Sequence, residues 1–177
     1  STIVEVLAEC CLDSTSFILG HPDSVTVIQG NVTFGGSYRI QGDLMLQGGT
    51  FTLLPGTKFY MDGYTVQEPG MNPFNAKEYY NHLDAVGPNI FLDRASFIMD
   101  GATITSNCGN LWGGIFTDPS DNQSLQTPAP NTVIIKGTSM PSEISNSALG
   151  VTLNSELDEF SITNTRFLNN LWYCINV

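Results

Sequence analysis

Charge is scarce in this chain, and positive charge is scarcest. Only 13% of the 177 residues are charged, against a usual share of about 25%. Helical surfaces normally carry Glu and Lys freely, so the shortage favours β-structure. The six basic residues, Arg39, Lys58, Lys77, Arg94, Lys136 and Arg166, are scattered. They form no patch to neutralise phosphates, which argues against a nucleic-acid partner. Two histidines and the lack of any Cys-x-x-Cys pair leave too few ligands for a usual zinc site. No apolar run approaches the roughly 20 residues of a membrane helix, so membrane insertion is not expected. The 41% of hydrophobic residues and near-neutral mean hydropathy fit one soluble domain with a real core. The net charge of −11 suits a solvated acidic surface better than a cation site, calcium included. No cofactor is expected.

What the chain does have is a short pattern that returns four times: apolar, any residue, Gly or Asn, two residues, apolar. The copies are Leu54-Pro55-Gly56-Thr57-Lys58-Phe59, Met99-Asp100-Gly101-Ala102-Thr103-Ile104, Ile135-Lys136-Gly137-Thr138-Ser139-Met140 and Ile162-Thr163-Asn164-Thr165-Arg166-Phe167. Glycine readily takes a left-handed backbone and asparagine tolerates it. Each copy therefore reads as two strands joined by a sharp bend at Gly56, Gly101, Gly137 or Asn164. The spacing predicts Leu54, Met99, Ile135 and Ile162 in one inward row and Phe59, Ile104, Met140 and Phe167 in another.

A second pattern keeps step with the first. Asn110, Asn146 and Asn170 are each followed five residues on by Ile115, Val151 and Ile175. The bend-to-Asn distances are 110−101 = 9, 146−137 = 9 and 170−164 = 6. Repeats at such spacing are the mark of a solenoid, where each turn covers the apolar edge of the last. With no helix between these strands, the fold class is all-β and the units point to a β-solenoid, a parallel β-helix. The three asparagines read as a ladder of side-chain amides inside the bends.

Residues 1–24 read as N-terminal strands or a cap, and residues 25–177 as the coils. From Val25 the apolar alternation runs through Val27, Tyr38, Ile40, Leu44, Leu46, Phe51, Leu53, Phe59 and Met61, broken at Gly into strands of four to six residues. Two excursions interrupt it. Residues 67–90 open on Glu68-Pro69-Gly70 and hold one short helix over Ala76 to Val86. Residues 117–131 carry three prolines and form a surface loop. The chain begins at Ser1 without Met and ends in mid-strand at Tyr173-Cys174-Ile175-Asn176-Val177. The expectation is a processed N-terminus and coils continuing past residue 177 into the rest of a longer chain.

The stretches around Trp112-Gly113-Gly114-Ile115, Ile144-Ser145-Asn146-Ser147-Ala148-Leu149-Gly150-Val151 and Asn164-Thr165-Arg166-Phe167-Leu168-Asn169-Asn170 resemble right-handed β-helix segments of large secreted Bacteroidota proteins. These are commonly cargo of the type IX secretion system. The resemblance covers roughly residues 25–66 and 91–177. It implies export and an extracellular or outer-surface location, and it implies no activity. The family's C-terminal sorting domain has no counterpart here, nor does the 67–90 excursion.

A β-helix can instead be a polysaccharide lyase or hydrolase, which needs converging carboxylates, or calcium with an Arg or Lys base. Asp93, Arg94 and Asp100 lie close in sequence, and Asp158 and Glu159 are adjacent, but each falls at a bend or strand edge where Asp serves turns. The chain therefore reads as a non-enzymatic structural or adhesive segment; a pectin-lyase-like enzyme and a carbohydrate-binding module are the alternatives. Trp112, Trp172 and Tyr173 read as core rather than sugar platforms. Phe74, Tyr79, Tyr80 and His82 on the first excursion are the candidates for a glycan or protein partner, or else fold back as a cap. Cys10, Cys11, Cys108 and Cys174 are disulfide candidates with free thiols as the alternative, and connectivity stays open.

Overall fold

The computed structural model describes residues 17–22, 24–65, 86–107, 111–117, 130–153, 156–171 and 173–176. Among them the chain is all strand and turn, with seventeen strands and no helix. Parallel hydrogen bonding sorts the strands into columns. Column A is one six-stranded sheet, in the order β1 (Phe17–Gly20), β4 (Ser37–Gln41), β6 (Lys58–Met61), β10 (Thr103–Ser106), β13 (Ser142–Ser145) and β16 (Thr165–Leu168). A nine-stranded sheet makes the other two. Column B holds β2 (Thr26–Gln29), the first halves of β5 (Leu44–Leu53) and β9 (Ile90–Asp100), then β11 (Ile115–Thr117), β14 (Leu149–Thr152) and β17 (Tyr173–Asn176). Column C holds β3 (Val32–Phe34), the second halves of β5 and β9, β12 (Thr132–Lys136) and β15 (Glu159–Ile162). The chain visits A, B and C in rotation. Parallel strands in two sheets visited in this order are consistent with a β-solenoid.

Two strands run around a corner, and the backbone there resets the side-chain phase. In β9, Ile90 and Leu92 are buried, then Ala95, Phe97 and Met99. A straight strand would put residues 90, 92 and 94 on one side. Arg94 instead takes a φ of 52°, which shifts the alternation by one. In β5 the same shift falls at Gly48 and Gly49, with φ of 55° and 105°. A Cβ on Gly49 would lie 2.5 Å from the Gly30 carbonyl, so glycine is required twice over, by conformation and by space.

Inward side chains from all three columns meet in one buried cluster. Column A contributes Tyr38, Phe59, Ile104, Ile144 and Phe167, stacked in register. Column C contributes Phe51, Phe97 and Val133, and Leu53, Met99, Ile135 and Ile162. Aromatic rings run through the first coils, with Phe34 and Tyr38 each in contact with Phe59 at 5.3 and 5.4 Å.

Both expected inward rows hold except at one position each. Leu53, not Leu54, lies against Met99, and Leu54 is exposed. Its bend is one residue longer than that of Met99-Asp100-Gly101. Ile144, not Met140, lies against Ile104 and Phe167. Here residues 138–141 are added at the corner, and Met140 rests outside it, exposed. Val25 and Val27 also face outward. Gly56, Gly101 and Asn164 take positive φ, of 79°, 62° and 45°. Gly137 does not need it, but a Cβ there would meet the Met140 carbonyl oxygen at 2.3 Å. The bends stack: Gly56 N–H donates to Gly101 O at 2.8 Å, Gly101 N–H to Lys136 O at 3.0 Å, and Asn164 Nδ2 to Gly137 O at 2.6 Å.

The expected helix over Ala76 to Val86 lies outside the described residues except for Val86. That residue belongs to β8 (Val86–Gly87), which pairs antiparallel with β7 (Tyr64–Thr65). The first excursion thus leaves and returns at one place, and Ile90 is already in the stack. Thr117 and Asn131, the ends of the second, are buried coil residues.

Phe97 is fully buried between Phe51 and Val133. Phe97→Ala should cost about 3–5 kcal/mol in urea unfolding. Met140→Ala, at the exposed corner, should stay within about 0.5 kcal/mol of the parent.

Candidate functional site

The acidic residues are bound into the scaffold. Asp62 accepts from Arg39 Nε at 2.7 Å, Gln41 Nε2 at 3.1 Å and Asn107 Nδ2 at 2.7 Å. Asp43 accepts from the backbone and side-chain amides of Asn89 at 2.7 and 3.2 Å. Asp158 does the same for Asn131 at 2.9 and 3.3 Å and also accepts from Thr117 Oγ1. Asp93 accepts from Gln47 Nε2 at 2.6 Å and Arg94 Nε at 3.0 Å. Asp100 accepts from Thr138 N–H at 2.8 Å and its hydroxyl at 2.9 Å, with Lys136 Nζ 3.8 Å away. Each carboxylate ties its own coil to a neighbour. Among the described residues, no two of these five carboxylates share a hydrogen-bond donor.

At Asp93 and Asp100 these bonds set the proton affinity. Asp100 lies below the ordinary carboxylate value, chiefly because it accepts the Thr138 backbone N–H, with Lys136 adding attraction. Burial pushes Asp93 upward, but hydrogen bonds from Arg94 and Gln47 and the Arg94 charge together bring it down. A general acid at neutral pH needs the opposite shift. Among the described residues no three of His, Cys, Asp and Glu group as a metal site.

Several sequence candidates can be placed. Trp112 is fully buried, and its indole N–H donates to Ser145 O at 2.9 Å, so it is core and not a sugar platform. Tyr173 and Ile175 take inward positions on β17 of column B, against Leu149 and Val151, and are exposed, with no further strand beside β17 among the described residues. Cys174 carries a free, exposed thiol. Phe74, Tyr79, Tyr80, His82, Cys10, Cys11, Cys108, Asn110 and Trp172 lie outside the described residues. The asparagine contact along the stack runs from Asn169 Nδ2 to Asn146 Oδ1 at 3.3 Å. Both residues have positive φ, of 54° and 56°. Asn170 instead accepts from Ser147 N–H and Oγ at 3.1 and 2.7 Å.

The outer surface of column B was not legible as a site in the sequence. Val27, Met45, Phe91, Phe116 and Thr152 line up there in register. Phe91 and Phe116 touch, their ring centroids 5.7 Å apart. Phe116 and Thr152 are buried although they point away from the core, and Thr152 Oγ1 has no hydrogen-bond partner. Both excursions are rooted at this strip: the first returns through Val86–Gly87 into β9 just before Phe91, and the second leaves at the end of β11 just after Phe116. The available signal was the unbroken apolar character of Leu44-Met45-Leu46 and Ile90-Phe91-Leu92, which marks strands covered on both sides. Comparison with family models, curated proteins and solved structures returns no match, so the site stands on its own geometry.

Because the folded Asp100 and Asp93 sit below their ordinary value of 3.8, their contribution to stability is present above that pH and is lost as pH falls through the folded values. Carboxyl NMR titration should find both lowered, and Thr138→Pro, which removes the backbone donor, should return Asp100 toward 3.8. An unmoved Asp100 would refute the assignment.

Proposed function

We propose that this chain is a non-enzymatic, extracellular scaffold: a right-handed parallel β-helix segment of a longer surface protein, adhesive where its excursions are rooted. The observation that carries this reading is the use of the aspartates. Asp43, Asp62, Asp93, Asp100 and Asp158 each bind neighbouring coils instead of converging on a common point. Right-handed crossover is the strong rule for parallel strands joined through other elements, and the A, B, C rotation supports a wound coil. The resemblance to secreted Bacteroidota β-helix segments supports export by a type IX route and display at the outer surface. A glycan or protein partner would meet the strip beside Phe91 and Phe116, where both excursions root.

A panel of pectins, alginates and other glycans separates the readings. The scaffold reading expects no turnover. Release of unsaturated or reducing ends would establish a polysaccharide-active enzyme, and retention without turnover would establish a carbohydrate-binding module.

Replacing residues 68–83 by a short Gly-Ser linker keeps the β7–β8 pair. It should leave the melting temperature within a few degrees and abolish partner binding. A large fall in melting temperature with binding unchanged would make the excursion only a cap.

A further inference from the structure

The three outer surfaces of the stack differ in how they use their polar groups. On column A they are spent on one another. Arg39 and Gln41 are bonded to Asp62, and Ser145 Oγ and Asn146 Nδ2 both reach Thr105 Oγ1, at 2.9 and 3.1 Å. Column B is an apolar strip between excursion roots. Column C differs from both, because its outward hydroxyls make no side-chain hydrogen bond among the described residues.

Those hydroxyls, with two isoleucines among them, stand in two ranks fixed by strand register. One rank is Thr50, Ser96 and Thr132. The other, two residues further along each strand, is Thr33, Thr52, Ile98, Ile134 and Ser161. All are half-buried or exposed. Neighbours within a rank are about 4.8 Å apart, and the ranks about 6.7 Å apart. No charged side chain interrupts either rank until Glu159, on the last rung beside Thr132. Charges flank the ranks at the corners in pairs: Asp100 and Lys136 face each other at 3.8 Å, and Asp93 and Arg94 at 3.0 Å. In-register stacking holds such a sheet flatter than free strands would lie.

A rigid grid of hydroxyls and methyl groups without charge matches a neutral, periodic, hydrogen-bonding surface. Aromatic platforms suited to sugar rings are missing from it, because Phe34, Phe51 and Phe97 of this column all point into the core. Methyls at fixed spacing favour water held in a lattice, and hydroxyls at fixed spacing can join that lattice. We propose that the outer face of column C is an ice-binding surface. The face would be present whether or not the excursions hold a partner.

The test uses the full chain, with thermal hysteresis, ice-crystal shaping and partition into a growing ice front as readouts. The parent should shape ice and open a hysteresis gap. Thr52→Tyr, which raises a ring from the middle of the grid, should lose most of that gap, as should Thr132→Lys, which adds charge there. Thr103→Tyr, facing outward on column A, should keep it, with circular dichroism showing all three variants folded as the parent. A folded parent without hysteresis overturns the proposal, and so does equal loss in Thr103→Tyr. Sedimentation with crystalline cellulose or chitin but exclusion from ice would assign the face to polysaccharide instead. A dimer that Thr52→Tyr dissociates, with no ice activity, would assign it to a second copy of the chain.

Discussion

Each rung must set its inward side chains on those of the rung before it, because parallel strands in register put residue over residue at about 4.8 Å. Everything else in the molecule accommodates that demand. Phe59, Ile104, Ile144 and Phe167 succeed one another at one level of column A, although the chain between them varies greatly in length. Extra residues are therefore expelled at the corners. Residues 138–141 bulge outward, the first excursion is pinched off by β7 and β8, and the second begins and ends on buried residues, Thr117 and Asn131.

Corners are where this arrangement is costly. A corner turns the backbone, interrupts the ladder and exposes amides. Asparagine and glycine meet the first need with positive φ, and aspartate meets the last. Asp43 and Asp158 each take both the backbone and side-chain amides of an asparagine on another coil. Such charge-assisted bonds are worth roughly twice neutral ones, and they give five of the 17 acidic residues a structural use. The downward shifts of Asp93 and Asp100 follow from hydrogen bonds of this kind, aided by the Arg94 and Lys136 charges.

Much of the architecture was legible in the sequence because backbone requirements leave traces in residue type. Gly56, Gly101 and Asn164 mark bends that only such residues adopt easily, and the step of five from Asn146 to Val151 and from Asn170 to Ile175 placed Val151 over Ile175 as the strands pair. Register was less legible. Counting from the bends placed Leu54 and Met140 in the core, and both lie outside. A bend can lengthen by one or four residues without changing its motif, and only the packed partner decides which apolar residue turns inward.

By itself the sequence determined the class: few charges, alternating apolar residues and glycine-marked bends admit short stacked strands and little else. It also identified Trp112 as core. Only the tertiary structure decided what the outward residues do, because side-chain identity does not say which neighbour a rung will bring. Phe91 and Phe116 become one strip, the aspartates become ties, and Thr50, Ser96 and Thr132 become a rank only once residues 46 and 36 positions apart lie side by side.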